Sequence, residues 1–154
     1  MDTMARLRPT VQRPRRIALA AGPAAASEAR SQVRAAIDDW DVPVDPAVAV
    51  LLTSELVTNA IQHQAGATIT LTITCICDQL RVAVQDTSGR VPVLVDAPAD
   101  AEAGRGLMLV ASLATDWGFN RTGAGKVVYF TLMPPTDLDE SDGRSPNGYR
   151  TWVR

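Results

Sequence analysis

The sequence predicts an α+β domain, a two-layer α/β sandwich with a mixed, mostly antiparallel sheet and helices on one face. Three observations lead there. Residues 67–77, ATITLTITCIC, alternate, with apolar residues or cysteine on one face and four threonines on the other, the pattern of a half-buried strand. Two stretches with apolar residues at helical spacing precede that strand. The later segments read strand, helix, strand, strand, so the whole order is β-α-α-β-β-α-β-β. A chain of 154 residues suits one domain with a real core.

Each element has its own signal. RRIALAA, residues 15–21, reads as a short first strand. PAAASEARSQVRAAIDDW, residues 23–40, reads as a helix, with Pro23 near its start and Ala26, Ala29, Val33, Ala36, Ile37 and Trp40 at helical spacing. DVPVDP breaks it. A second helix starts with Asp45 as N-cap and Pro46 at the first helical position, and runs to about Gln64. In the strand that follows, Ala67, Ile69, Leu71, Ile73, Cys75 and Cys77 share one face. DQ turns the chain, and LRVAVQD alternates again with Leu80, Val82 and Val84 inward. A loop rich in Pro, Asp and Ala leads to a glycine-flanked helix, GRGLMLVASLA, and TDWGFNRT and GKVVYFTLM form a last pair of strands. Residues 1–14 read as a loose leader and residues 134–154 as an acidic, aperiodic, disordered tail around a domain of residues 15–133.

Composition narrows the function. The net charge of −2 gives no global pull toward nucleic acid or an anionic membrane. Arg6, Arg8, Arg13, Arg15 and Arg16 crowd the start of the chain, which reads as a solvated leader in preference to a nucleic-acid-binding arm. No apolar run approaches a bilayer span and no signal-peptide pattern is visible. Cys75 and Cys77 lack the further ligands a zinc site needs, so buried free thiols in a reducing cytoplasm are expected.

Three polar groups interrupt the apolar pattern. In the second helix Glu55, Asn59 and His63, the chain's one histidine, recur every fourth residue. Four residues turn a helix by only about 40°, so they form one stripe. Val48, Leu51 and Leu52 fall in the same sector, so the stripe continues a face that reads as buried. Such a carboxylate needs compensation by water, a metal ion or a polar ligand. Asp86 ends the inward series Leu80, Val82, Val84, just before Ser88 and Gly89; it is either a turn cap or a ligand acceptor. Gly104 and Gly106 flank Arg105 at a helix start, where backbone N–H groups and the helix dipole favour a phosphate.

Together, ELVTNAIQH, VQDTSG and GRGL, in that order, resemble the N-box and the two glycine boxes of the GHKL, or Bergerat-fold, ATP-binding superfamily. Within it the chain looks like the anti-sigma-factor serine kinases and related ATP-binding regulators. The likeness covers roughly residues 15–133. It implies a Bergerat-type sandwich that binds ATP with Mg²⁺. Asn59 would coordinate the ion through its amide oxygen. Glu55 would be the general base, and Asp86 would accept a hydrogen bond from the adenine amino group. Gly104, Arg105, Gly106 and Leu107 would cap the phosphates, and His63, Gly89 and Lys126 would join the nucleotide contacts. Residues 90–103 would be the ATP lid; with Pro92 and Pro98 and no glycine before Gly104, it is expected to move little. The usual glycine two places after the Asp is Ser88 here, with Gly89 displaced by one.

The resemblance implies an anti-sigma factor with serine kinase activity toward an anti-anti-sigma type of antagonist protein, possession of a sigma-factor partner, and a homodimer. Arg30 on the first helix has no acid at i+3 or i+4 and is expected to anchor the antagonist. The alternative is a catalytically silent module that regulates its partner by holding ATP. His63 lies within the N-box and no dimerisation helix with a phospho-acceptor histidine is visible upstream, which argues against a two-component histidine kinase.

Overall fold

The computed structural model describes residues 11–63, 68–87 and 105–135. The elements follow the predicted order: β1 (Arg15–Ala20), α1 (Ala25–Trp40), α2 (Pro46–His63), β2 (Thr68–Ile76), β3 (Gln79–Asp86), α3 (Arg105–Leu113), β4 (Asp116–Thr122) and β5 (Gly125–Leu132). The sheet runs β1-β2-β3-β5-β4, and every described pairing is antiparallel. α1 lies over β1 and β2, α2 over β3 and β5, and α3 beside α2 over β4, so the helices cover one face in a row.

Period two decides which residues that face buries. Ile69, Leu71, Ile73 and Cys75 of β2, Leu80, Val82 and Val84 of β3, and Val128, Phe130 and Leu132 of β5 all point into the core. From the helices come Ala29, Val33, Ala36 and Ile37, then Ala49, Leu52, Leu56, Val57 and Ala60, then Val110. On the opposite face the Arg81 guanidinium stacks 3.9 Å from the centre of the Tyr129 ring.

The caps explain the helix boundaries. The Asp45 carboxylate accepts the Ala47 N–H at 2.9 Å and its carbonyl accepts the Ala49 N–H at 3.1 Å, so Asp45 is the N-cap expected of it. α1 ends with Asp41 in the left-handed region at φ 51°, while the Val42 N–H reaches the Ile37 carbonyl and the Asp41 N–H the Asp38 carbonyl. That is a Schellman motif closed by Asp where glycine is commoner.

Three local expectations are corrected. The β2–β3 turn is Cys77–Asp78, one residue earlier than DQ, with both residues at positive φ, 51° and 63°. Both central residues at φ > 0 is the type I′ pattern, whose twist matches a two-residue hairpin. Cys77 therefore leaves the strand and is exposed, while Cys75 is buried as expected. Leu51 is 40% exposed and not part of the buried sector of α2. The buried face is centred on Ala49, Leu52, Leu56 and Ala60, so Glu55 and Asn59 border the core instead of continuing it.

The expected leader falls largely on residues 1–10, outside the described residues; Val11 bridges Ile76 and the Gln12 N–H donates to the Cys75 carbonyl. The lid and residues 136–154 also lie outside them.

Candidate functional site

Asp86 is the last inward residue of β3, and it is 1% exposed. β5 runs antiparallel beside it in the register Asp86↔Lys126. Lys126 shares the phase of Val128, Phe130 and Leu132, so its side chain enters the same layer and is also 1% exposed. Lys126 Nζ lies 3.6 Å from Asp86 Oδ2. At that separation the contact is ionic and too long for a good hydrogen bond. The pairing offsets part of the cost of burying two charged groups. Gly125 makes the approach possible. A Cβ there would run into the Asp86 carbonyl oxygen and come within 2.7 Å of Thr87 Cα.

α2 supplies the second part. Ser54 of α2 faces α1, because its Oγ accepts a hydrogen bond from Arg30 Nη1 at 3.1 Å. Glu55 and Asn59 sit about 100° and 140° further round the helix. They are turned away from the Ser54 side that meets α1. Both are half-buried. Asn59 Nδ2 is buried with no hydrogen-bond partner among the described residues. A buried amide left unsatisfied is destabilising by roughly 1–3 kcal/mol. Such an orphan donor calls for an acceptor, from an ordered water or a bound ligand.

The residues present fit Mg²⁺ held jointly with a nucleotide. Among the described residues no three His, Cys, Asp or Glu cluster as a self-sufficient metal site. Asn59 offers one hard oxygen, and Mg²⁺ ordinarily takes most of its remaining ligands from phosphates and water.

The other predicted residues are placed unevenly. His63 closes α2, and Arg105, Gly106 and Leu107 form the first turn of α3. Ser88, Gly89 and Gly104 lie outside the described residues. Arg30 is half-buried and engaged with Ser54, not the wholly exposed anchor expected from its lack of an acidic neighbour. Two features escaped the sequence reading: the ion pair of Lys126 with Asp86, and the need for glycine at Gly125. The first had a signal, since a lysine in the inward phase of an alternating strand is out of place unless it is paired. No described helix is long and apolar enough to cross a membrane.

Comparison with known proteins bears on this arrangement. Residues 19–132 match the model of the histidine kinase-like ATPase domain. The chain is 33% identical over 105 residues to Blue-light-activated histidine kinase 2 of Erythrobacter litoralis, a match covering 63% of this chain and 30% of that protein. Its fold is similar to the crystal structure of the RsbU and RsbW domains of Rv1364c from Mycobacterium tuberculosis. That likeness has a TM-score of 0.59 at 22% identity, over 79% of this chain and 32% of the other. The chain thus spans about a third of each relative. The matched residues take in α2, β3, α3 and β5, the elements that carry Glu55, Asn59, Asp86 and Lys126. The chain belongs to the histidine kinase-like ATPase domain family.

Proposed function

We propose that this domain binds ATP with Mg²⁺ and transfers the γ-phosphate to a serine of a small antagonist protein of the anti-anti-sigma type, and that it also sequesters a sigma factor. One observation carries the reading: a carboxylate, Asp86, buried at the inner end of β3 beneath the helix layer, beside a helix that turns Glu55 and Asn59 to one flank. The order of the motifs around these residues and the fold likeness to a chain containing an RsbW domain support it.

Each residue has a role its chemistry suits. Asp86 accepts the exocyclic amino hydrogen of adenine. Asn59 offers its amide oxygen to Mg²⁺, which supplies charge neutralisation on the phosphates. Glu55 takes the proton from the attacking serine hydroxyl. The first turn of α3, with Arg105, Gly106 and Leu107, meets the phosphates at a helix N-terminus.

The test is transfer of labelled phosphate from ATP to candidate antagonists. Wild type is expected to label a serine. Glu55→Gln, nearly isosteric but unable to accept a proton at neutral pH, is expected to keep nucleotide binding and lose transfer by roughly 10²–10⁴-fold. Equal transfer by the variant would remove Glu55 from the role of base. Tight binding with no transfer by wild type would favour a module that uses ATP as a ligand alone.

A further inference from the structure

We propose that the outer flank of α3 is the contact surface for a second copy of this chain, the two α3 helices packing side by side about a two-fold axis. This surface is separate from Glu55, Asn59 and Asp86 and does not depend on their roles.

α3 is apolar on more than its core face. Val110 and Ala111 pack against the core. The stripe round the helix from them is Met108, Leu109, Ser112 and Leu113, neighbours at i+1, i+4 and i+5. Met108 is 51%, Leu109 39% and Leu113 44% exposed. A helix that is hydrophobic all round is ordinarily buried all round. α3 is the last helix of the row and packs on β4, the outermost strand of the described sheet. Phe119, in the inward phase of that strand with Trp117, is still 38% exposed. The apolar flank of the helix and an apolar ring thus share one end of the molecule, beside a sheet edge. Folded proteins ordinarily cover such a place or guard it with charge.

Three features fit a second copy. The first is area. At roughly 200 Å² for a large side chain, these four exposed apolar groups present on the order of 350 Å². A small specific interface buries about 600 Å² per copy, of which roughly 60% is apolar, so the amounts agree. The second is self-complementarity. Met108, Leu109, Ser112 and Leu113 carry no charge, so an identical stripe is not repelled and an unlike partner finds little polar information to read. A two-fold axis level with Ala111, with the helices antiparallel, sets Leu109 of each copy toward Leu113 of the other and brings opposite helix-dipole ends together. The third is Ser112. It is small enough for close approach, and its hydroxyl already donates to the Met108 carbonyl at 2.8 Å, so covering it leaves no donor unpaired.

Sedimentation equilibrium of the full chain from roughly 1 µM to 1 mM, with a thermal melt of each protein, tests the contact. Wild type is expected to be monomeric at the low end and dimeric at the high end, as an interface of this size implies. Leu109→Glu/Leu113→Glu sets like charges against one another across the axis. It is expected to fold and to weaken dimerisation by roughly 100-fold or more. A folded double variant that dimerises as wild type does would overturn the proposal. Wild type that stays monomeric throughout would overturn the second copy as the occupant of this flank. If the double variant does not fold, Met108→Lys is read in its place. Its long stem keeps the surface covered while its charge is expected to weaken the dimer by roughly tenfold. Unchanged dimerisation in that variant would overturn the proposal. Nucleotide binding enters none of these outcomes, so each leaves the pocket reading where it was.

Discussion

With Asp86→Asn, the Lys126 ammonium keeps its burial and loses the carboxylate 3.6 Å away. Breaking a buried pair from one side is destabilising by roughly 3–5 kcal/mol. The melting temperature should fall by roughly 6–20 °C and adenine-nucleotide affinity should drop with it. A variant that melts and binds as wild type would show that Asp86 is not the base acceptor. The cysteines give a second residue-scale prediction. Burial, with help from the negative charge of Asp78, raises the Cys75 thiol above its ordinary value of 9.0, while Cys77 stands exposed in the turn. The thiolate is the nucleophile, so mildly alkaline iodoacetamide should modify Cys77 first. Mass spectrometry should find one adduct on the folded chain and two after denaturation. The sign for stability follows from the raised folded value. The Cys75 contribution is fully present below 9.0 and is lost as pH climbs through the raised value. Asp86 was legible in the sequence because period two carries inward from Leu80 through Val84. Cys77 was misplaced by the same rule, because alternation does not say where a strand stops.

Among the elements, α2 was the most legible and the β2–β3 hairpin the least. Asp45-Pro46 announces a helix start because each residue has a distinct job there, the carboxylate as acceptor and proline at a position with no N–H to satisfy. Asp45→Ala removes the bond to the Ala47 N–H and should destabilise by about 1 kcal/mol. A melt should record a loss of roughly 2–4 °C with nucleotide affinity unchanged. No loss would mean that water replaces the cap fully. The turn had no such signal. Type I′ turns are read from Asn-Gly or Asp-Gly, and here Cys77 and Asp78 take positive φ under the constraint of strand register. The position of Glu55 and Asn59 at the edge of the buried face of α2 was also beyond the sequence. Their spacing fixes a stripe, but the packing of α1 and α3 decides how deep it lies.

Across the molecule, the row of three helices over one sheet face leaves Arg30 at the α1–α2 contact, where tertiary packing gave it a partner no sequence window contains. Arg30→Ala should lose the bond to Ser54, a stability change of roughly 0.5–1.5 kcal/mol. Antagonist binding should weaken by about 2 kcal/mol if Arg30 is an interface anchor. A pull-down paired with a melt separates the two effects, and intact antagonist binding would confine Arg30 to holding the helices together. The central claim is that the domain binds an adenine nucleotide between β3, α2 and the start of α3. Equilibrium dialysis of the full chain against labelled ATP, with and without Mg²⁺, tests it most directly. Saturation at one nucleotide per chain is expected, tighter with Mg²⁺ and displaced by unlabelled ADP. A folded chain that retains no labelled ATP under either condition would contradict it.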